Sequence, residues 1–259
     1  RLLDPRYLAM LVSVKRFGRL AQQLLDSAES PTEPQTYGDF LEAHGFSDYF
    51  VSHYAIPVVS CVWSAGHETA LSYPARYLFE FLKHHGFLSI KGSPQWYTVV
   101  GGSGTYIDRV REAIGDVRAS TGIRSITRTA DGVELVDAAG RTHQADAVVI
   151  ATHADDALAL LADPSDDERR VLGAFEYSDN EVQLHRDPSL LPDASAARSA
   201  WNYRMDGCAD RSDHSAVTYW MNRLQGIESR DPFLVTLNAS ERVDQSSVLA
   251  TMAYTHPIY

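Results

Sequence analysis

The chain has 259 residues, of which 44% are hydrophobic and 22% charged, enough for one large or two modest domains with a substantial core. A net charge of −11 excludes the basic footprint that nucleic acid or an anionic membrane surface requires. No run approaches the roughly 20 apolar residues of a bilayer-spanning helix. The two cysteines, Cys61 and Cys208, are too few for a disulfide framework and read as buried thiols of a reducing, cytoplasmic compartment.

In chain order, residues 1–94 read as mainly helical. Pro5 suits a helix start, and Leu8, Leu11, Val12, Phe17, Leu20, Leu24 and Leu25 form an apolar stripe after it. Residues 27–34 have loop composition. Thr36 with Asp39 three positions on predicts a capping box, and Tyr77 to His84 a further helix stopped by Gly86. Between them, residues 57–64 are apolar and rich in small residues.

Residues 95–160 change character. A β-prone run, Trp96 to Val100, meets Gly101-Gly102-Ser103-Gly104, and a helix follows with Ile107, Val110 and Ile114 at helical spacing. Strand, glycine turn and helix is a layout that turns backbone N–H groups toward an anion. Residues 122–128 and 133–136, separated by Asp131-Gly132 and followed by Ala139-Gly140, predict a β-meander. It feeds an expected buried strand, Ala147 to Ala151, and a short helix from Asp155 to Leu161. The charge run Asp163 to Arg170 opens another helix with a solvated face. Residues 161–259 are expected to carry an antiparallel sheet that belongs with the helical residues 1–94: 182–185, 200–204, 216–222, 233–237 and 249–254.

Two hydrolytic or metal chemistries lack their residues. A nucleophile elbow GxSxG needs glycine at 105, where Thr105 stands. Adjacent His84 and His85 point about 100° apart on a helix, and no HExxH or paired cysteine spacing exists, so no metal site is expected.

The segments GGSGTYIDRVREAI, GIRSITRTADGVEL and ADAVVIATHADDALALL, in that order, resemble the middle of flavin-containing amine oxidase-like proteins. LKHHGFLSIKGSPQWYTVVGGSGTYI, LHRDPSLLP, AWNYRM and VTYWMNRLQGI resemble a bacterial branch of NAD/FAD-binding oxidoreductases, and the likeness runs over nearly the whole chain. It implies an α/β (α+β) FAD-binding fold, with residues 95–160 as part of the cofactor domain. Residues 1–94 and 161–259 would then form a mixed-sheet and helix substrate domain. It also implies FAD as cofactor, with Gly101, Gly102, Ile123, Ala151 and Thr152 near it, and hydride transfer from a small apolar or amine substrate. No catalytic base is assigned, since Lys83 and Lys91 flank an unrelated stretch.

Such proteins open with strand–GxGxxG–helix and close with a glycine-rich segment. Here Gly102-x-Gly104 is followed by Ile107 in place of a third glycine, so the chain reads as the central part of a longer polypeptide. Trp63, Trp201, Tyr203, Trp220 and Asn222 are the expected pocket residues: flat apolar walls with a few polar tips suit a flavin substrate site. They are expected to converge around one cavity: in strands, Trp201 and Tyr203 would share one side, as would Trp220 and Asn222. A ligand-binding or interaction module that keeps the substrate half without flavin is the alternative.

Overall fold

A computed structural model of the chain describes residues 4–27, 34–63, 65–89, 95–205, 207 and 216–258. Ser64, Lys91, Cys208 and most of the predicted 27–34 loop lie outside the described residues. The chain forms two compact units: Arg1–Thr98 with Asp179–Tyr254, and Val99–Ser178 with Thr255–Tyr259.

The first unit begins with α1 (Pro5–Asp26), whose Asp4 side chain accepts from Arg6 N and whose first residue is the expected proline. Then come α2 (Tyr37–Ala43), α3 (Asp48–Phe50), a π-helical turn (Val51–Ala55), α4 (Ile56–Trp63), α5 (His67–Ser72) and α6 (Ala75–His84). The Thr36/Asp39 capping box starts α2 as the sequence predicts: the Thr36 hydroxyl accepts from Asp39 N, and the Asp39 carboxylate accepts from Thr36 N. Gly86 follows α6 with φ +74°, a left-handed position that glycine takes without a Cβ penalty. Phe17, Phe40, Phe50 and Phe79 are almost completely buried together at the centre of these helices.

The second unit carries α7 (Gly104–Ile114) and the meander β1 (Ile123–Thr129), β2 (Gly132–Asp137) and β3 (Thr142–Ala145), antiparallel in the order β1-β2-β3. Two short helices follow, α8 (Ala154–Leu160) and α9 (Asp166–Leu172). At the first hairpin Gly132 has φ +145°, and a Cβ there would meet the Ala145 carbonyl oxygen at 2.4 Å, so only glycine fits. Asp137 ends β2 and closes the next turn. Its buried carboxylate accepts from Ala139 N, Arg141 N, Arg141 Nε and His143 Nε2. The hydrogen bond from His143, with those from the Arg141 and Ala139 backbone, holds its carboxyl far below the usual carboxylate range.

The remaining strands make a five-stranded sheet in the order β5-β6-β7-β4-β8, with β4 (Glu176–His185), β5 (Trp201–Arg204), β6 (Ala216–Trp220), β7 (Leu234–Leu237) and β8 (Val248–Ile258). The β4–β7, β5–β6 and β6–β7 ladders are antiparallel, as expected. A short helix, α10 (Met221–Gln225), separates β6 from β7.

Three expectations need correction. Trp96 to Val100 is not a strand: no ladder among the described residues includes it, and Tyr97 and Val100 are 88% and 93% exposed. Ala147 to Ala151 is likewise outside every ladder of the described residues, with Val149 91% exposed. Periodicity identifies a chain able to be a strand, but a strand exists only where a neighbour supplies its hydrogen bonds. Third, β6 stops at Trp220, and Asn222 lies in α10. A left-handed Gly226 ends that helix, and a one-turn helix closed in this way overrides the β-propensity of the preceding residues.

Candidate functional site

In the second unit, the meander, the segment after β3 and α8 surround a cavity of about 780 Å³. Ile123, Ile126 and Leu135 come from the meander, Val148 to Thr152 from the following segment, and Ala159 and Leu160 from α8. Ile126, buried, anchors the base: its carbonyl accepts from Ala162 N at 2.9 Å, and it forms a parallel bridge with Leu161. This pins the end of α8 to β1. The backbone of residues 147–152 makes no backbone hydrogen bond among the described residues. The cavity therefore joins branched aliphatic walls to a run of unused amide and carbonyl groups. That combination suits a flat heteroaromatic ring, which needs apolar faces and hydrogen bonds at its edge.

Of the five residues expected near a cofactor, Ile123, Ala151 and Thr152 line this one cavity. Gly101 and Gly102 are not among its lining residues; they form the turn before α7 with φ of +82° and +83°. A Cβ on Gly102 would meet nothing within 4 Å, so conformation and not close approach calls for glycine there.

The five expected pocket residues all lie in the first unit and are divided within it. Trp63 stacks on Tyr73 at 5.3 Å and leans on Phe81 at 4.5 Å. Its helix α4 packs on β5, and the Tyr219 hydroxyl donates to the Cys61 carbonyl at 3.3 Å. Burial pushes the Cys61 thiol up to about 12, which leaves it an inert apolar group. Trp201 pairs with Tyr219 across the β5–β6 ladder, their rings edge to face at 6.0 Å. Trp220, the next residue, points to the opposite face of the sheet. The two indoles are therefore separated by the sheet. Tyr203 lines a smaller cavity of about 280 Å³ with Leu190, Leu191, Pro192 and Asn202. Asn222 is occupied by backbone: its Nδ2 donates to Asp231 O at 3.0 Å and its Oδ1 accepts from Phe233 N at 2.6 Å. It braces the α10–β7 loop, so a pocket ligand is not needed to satisfy it.

Two features were not read from the sequence. His153, Asp155 and Asp156 bring potential ligand atoms within 4.8 Å of one another at the start of α8, all exposed; only the helix start makes residues 153, 155 and 156 neighbours. His185 is completely buried in β4 and hydrogen-bonded at both ring nitrogens. Burial lowers its pKa, partly opposed by the charge of Asp187.

Among the described residues, no helix is long and apolar enough to cross a membrane. No curated protein matches the chain by sequence. Solved structures do match. A CLA-producing fatty acid isomerase from P. acnes gives a TM-score of 0.65 at 16% identity over 97% of this chain and 63% of its own. Cyclohexylamine oxidase from Brevibacterium oxydans IH-35A gives 0.61 at 14% identity over 98% and 62%. An oxidoreductase from Methanosarcina mazei gives 0.58 at 13% identity over 92% and 59%. The chain thus has the FAD-binding amine-oxidase fold in part and spans about three fifths of the length of these structures. The family model of flavin containing amine oxidoreductases matches residues 14–180, well over half of the sequence. The chain belongs to the flavin containing amine oxidoreductase family.

Proposed function

We propose that the chain is part of an FAD-dependent oxidoreductase. The unit of residues 99–178 would contribute to the cofactor site, and the unit of residues 1–98 and 179–254 would handle a small apolar or amine substrate. The observation that carries this reading is the meeting of Ile123, Ala151 and Thr152 on one cavity. Family membership and the oxidoreductases among its structural neighbours support it. Bound FAD supplies a hydride acceptor. The chain's own residues would do three things. Ile123, Leu135 and Leu160 would hold an aromatic portion between aliphatic walls, and the unused backbone groups of residues 147–152 would hydrogen-bond its edge. The aromatic side chains of the other unit, Trp63 and Tyr203 among them, would orient an apolar substrate and exclude water.

The test is retention of flavin. The purified chain is incubated with FAD, desalted, and scanned near 450 nm; AMP is titrated in parallel as a probe of the cavity alone. Binding of both, weakened about tenfold or more by Ile123→Asp, is the expected outcome, since a carboxylate would be forced into an apolar wall. A colourless protein that binds neither favours the alternative, a ligand-binding module without flavin. Normal binding by Ile123→Asp would move the nucleotide elsewhere.

A further inference from the structure

Helix α7 has the sequence of a packing helix and none of the burial. Viewed down its axis, Tyr106, Ile107, Val110 and Ile114 fall within an arc of about 100°. Asp108 and Glu112 take the opposite side, and Arg109 and Arg111 border the stripe, one on each flank. Yet every residue from Ser103 to Ser120 is exposed.

Local chemistry does not hold such a helix. It is 11 residues long, and isolated helices shorter than about 12–15 residues are marginal in water. Ser103 makes no side-chain cap hydrogen bond. Thr105, Ile107, Val110 and Ile114 are β-branched and lose side-chain freedom in a helix. The Asp108–Arg111 pair, at 3.9 Å with both side chains exposed, adds little. Only the C-terminus is well closed, by Gly115 at φ +81°. The helix therefore needs a complementary surface to stay helical.

The size of the stripe decides what can cover it. Burying the exposed parts of four such side chains removes on the order of 400 Å² from water, half of the roughly 800 Å² per partner of a standard stable interface. A second copy would hold it only at high concentration. A segment of the same polypeptide needs no such area, because linkage supplies an effective concentration on the order of millimolar. These 259 residues span about three fifths of the length of the structures that share their fold, and the rest of such a fold is large enough to supply the cover. The two flanking arginines set its margins. Among the described residues Arg109 makes no ion pair and Arg111 only the loose one to Asp108.

We propose that the α7 stripe is the docking surface for another segment of the same polypeptide, outside these 259 residues, that presents an apolar face with carboxylates at its margins. The inference rests on the reading of the chain as part of a larger oxidoreductase. The segment seats Ile107, Val110 and Ile114 as central contacts, and its carboxylates meet Arg109 and Arg111. Covering the stripe fixes α7 and with it the preceding glycine turn, where the Gly102 carbonyl accepts from Thr105 N and Thr105 Oγ1.

Hydrogen exchange of the peptide covering residues 104–114, read by mass spectrometry, tests this. The 259-residue chain and the full product of its gene are compared flavin-free. In the shorter chain the α7 amides exchange close to the unstructured rate; in the full product they exchange roughly a hundredfold slower or more. Ile107→Glu with Ile114→Glu in the full product speeds their exchange about tenfold or more, while the amides of α2 in the other unit keep their rate. The wild-type comparison decides without the variant. Equal exchange in the two wild-type proteins overturns the proposal, and so does a gene that encodes these 259 residues alone. Protection in the shorter chain that rises with protein concentration assigns the stripe to a second copy and overturns it as well. So does protection that appears in the full product only on adding FAD. A full product that protects α7 and retains no flavin keeps the docking surface and loses the cofactor reading; one that retains flavin with α7 unprotected does the reverse.

Discussion

The two units use similar amphipathic sequence to opposite ends. In the first, Phe17 lies within 5.5–6.2 Å of six rings, those of Tyr37, Phe40, Phe46, Phe50, Tyr54 and Phe79, most of them edge-on. In the second, α7 buries no residue, and Tyr106, Ile107, Val110 and Ile114 are all exposed on it. A helix with an apolar stripe becomes core only when a complementary surface faces it. The first unit supplies that surface from its own helices. The second supplies it at Ile126 and Ala157, and leaves the α7 stripe and Val149 open.

Four experiments bear on that difference. The largest effect is expected from Phe17→Ala, which removes the ring shared by six neighbours and costs about 3–5 kcal/mol. Because all four tryptophans lie in the first unit, tryptophan-detected urea unfolding measures it directly. A loss under about 1 kcal/mol would mean the aromatic cluster is not the cohesive element.

Acid gives the next effect. Burial holds the folded pKa of His185 below the usual 6.5, so the unfolded chain takes the proton first. Its contribution is complete above pH 6.5 and is lost as pH falls from there toward the folded pKa. His185→Gln should flatten that slope in tryptophan-detected unfolding, and an unchanged slope would remove His185 as its source. Asp137 works in a lower window: its folded pKa is depressed, so stability present above pH 3.8 is lost as pH falls below it. Far-UV circular dichroism without a tryptophan change should report that loss.

Smaller still are the caps. Thr36→Ala and Ser165→Ala each break a capping box, one in each unit, at about 1 kcal/mol. Only the first should move the tryptophan-detected midpoint; equal movement by both would show that the units unfold as one. The smallest effect is expected from Ile107→Lys with Ile114→Lys on the open stripe of α7: under about 0.5 kcal/mol on unfolding, with less self-association by sedimentation. A large destabilisation would mean the stripe is covered.

Much of this was legible from residues close in sequence. The proline start of α1, the Thr36/Asp39 box, the Asp131-Gly132 hairpin and the glycine turn before α7 follow from local chemistry, as do the strand propensities at 182–185, 201–204 and 234–237, though not the end of β6. The candidate cofactor cavity was legible in part. Ile123 and the end of the Ala147–Ala151 segment were placed by resemblance, and the fold brings them together; Ile126, Leu135 and Leu160 were not distinguishable from ordinary core positions.

The sequence by itself determined where the backbone can turn, cap and extend, because those preferences are properties of a few adjacent residues. Tertiary structure decided which extended segments became strands, since pairing needs a second chain segment: Thr142–Ala145 has β2, and Ala147–Ala151 has none. It decided that Trp201 and Trp220 face apart, because a register against Tyr219 fixes both at once. It also assembled a Gln183–Thr236–Thr218–Asn202 row, four ordinary polar residues in four separate strands that become one buried surface only when the ladders bring them into register.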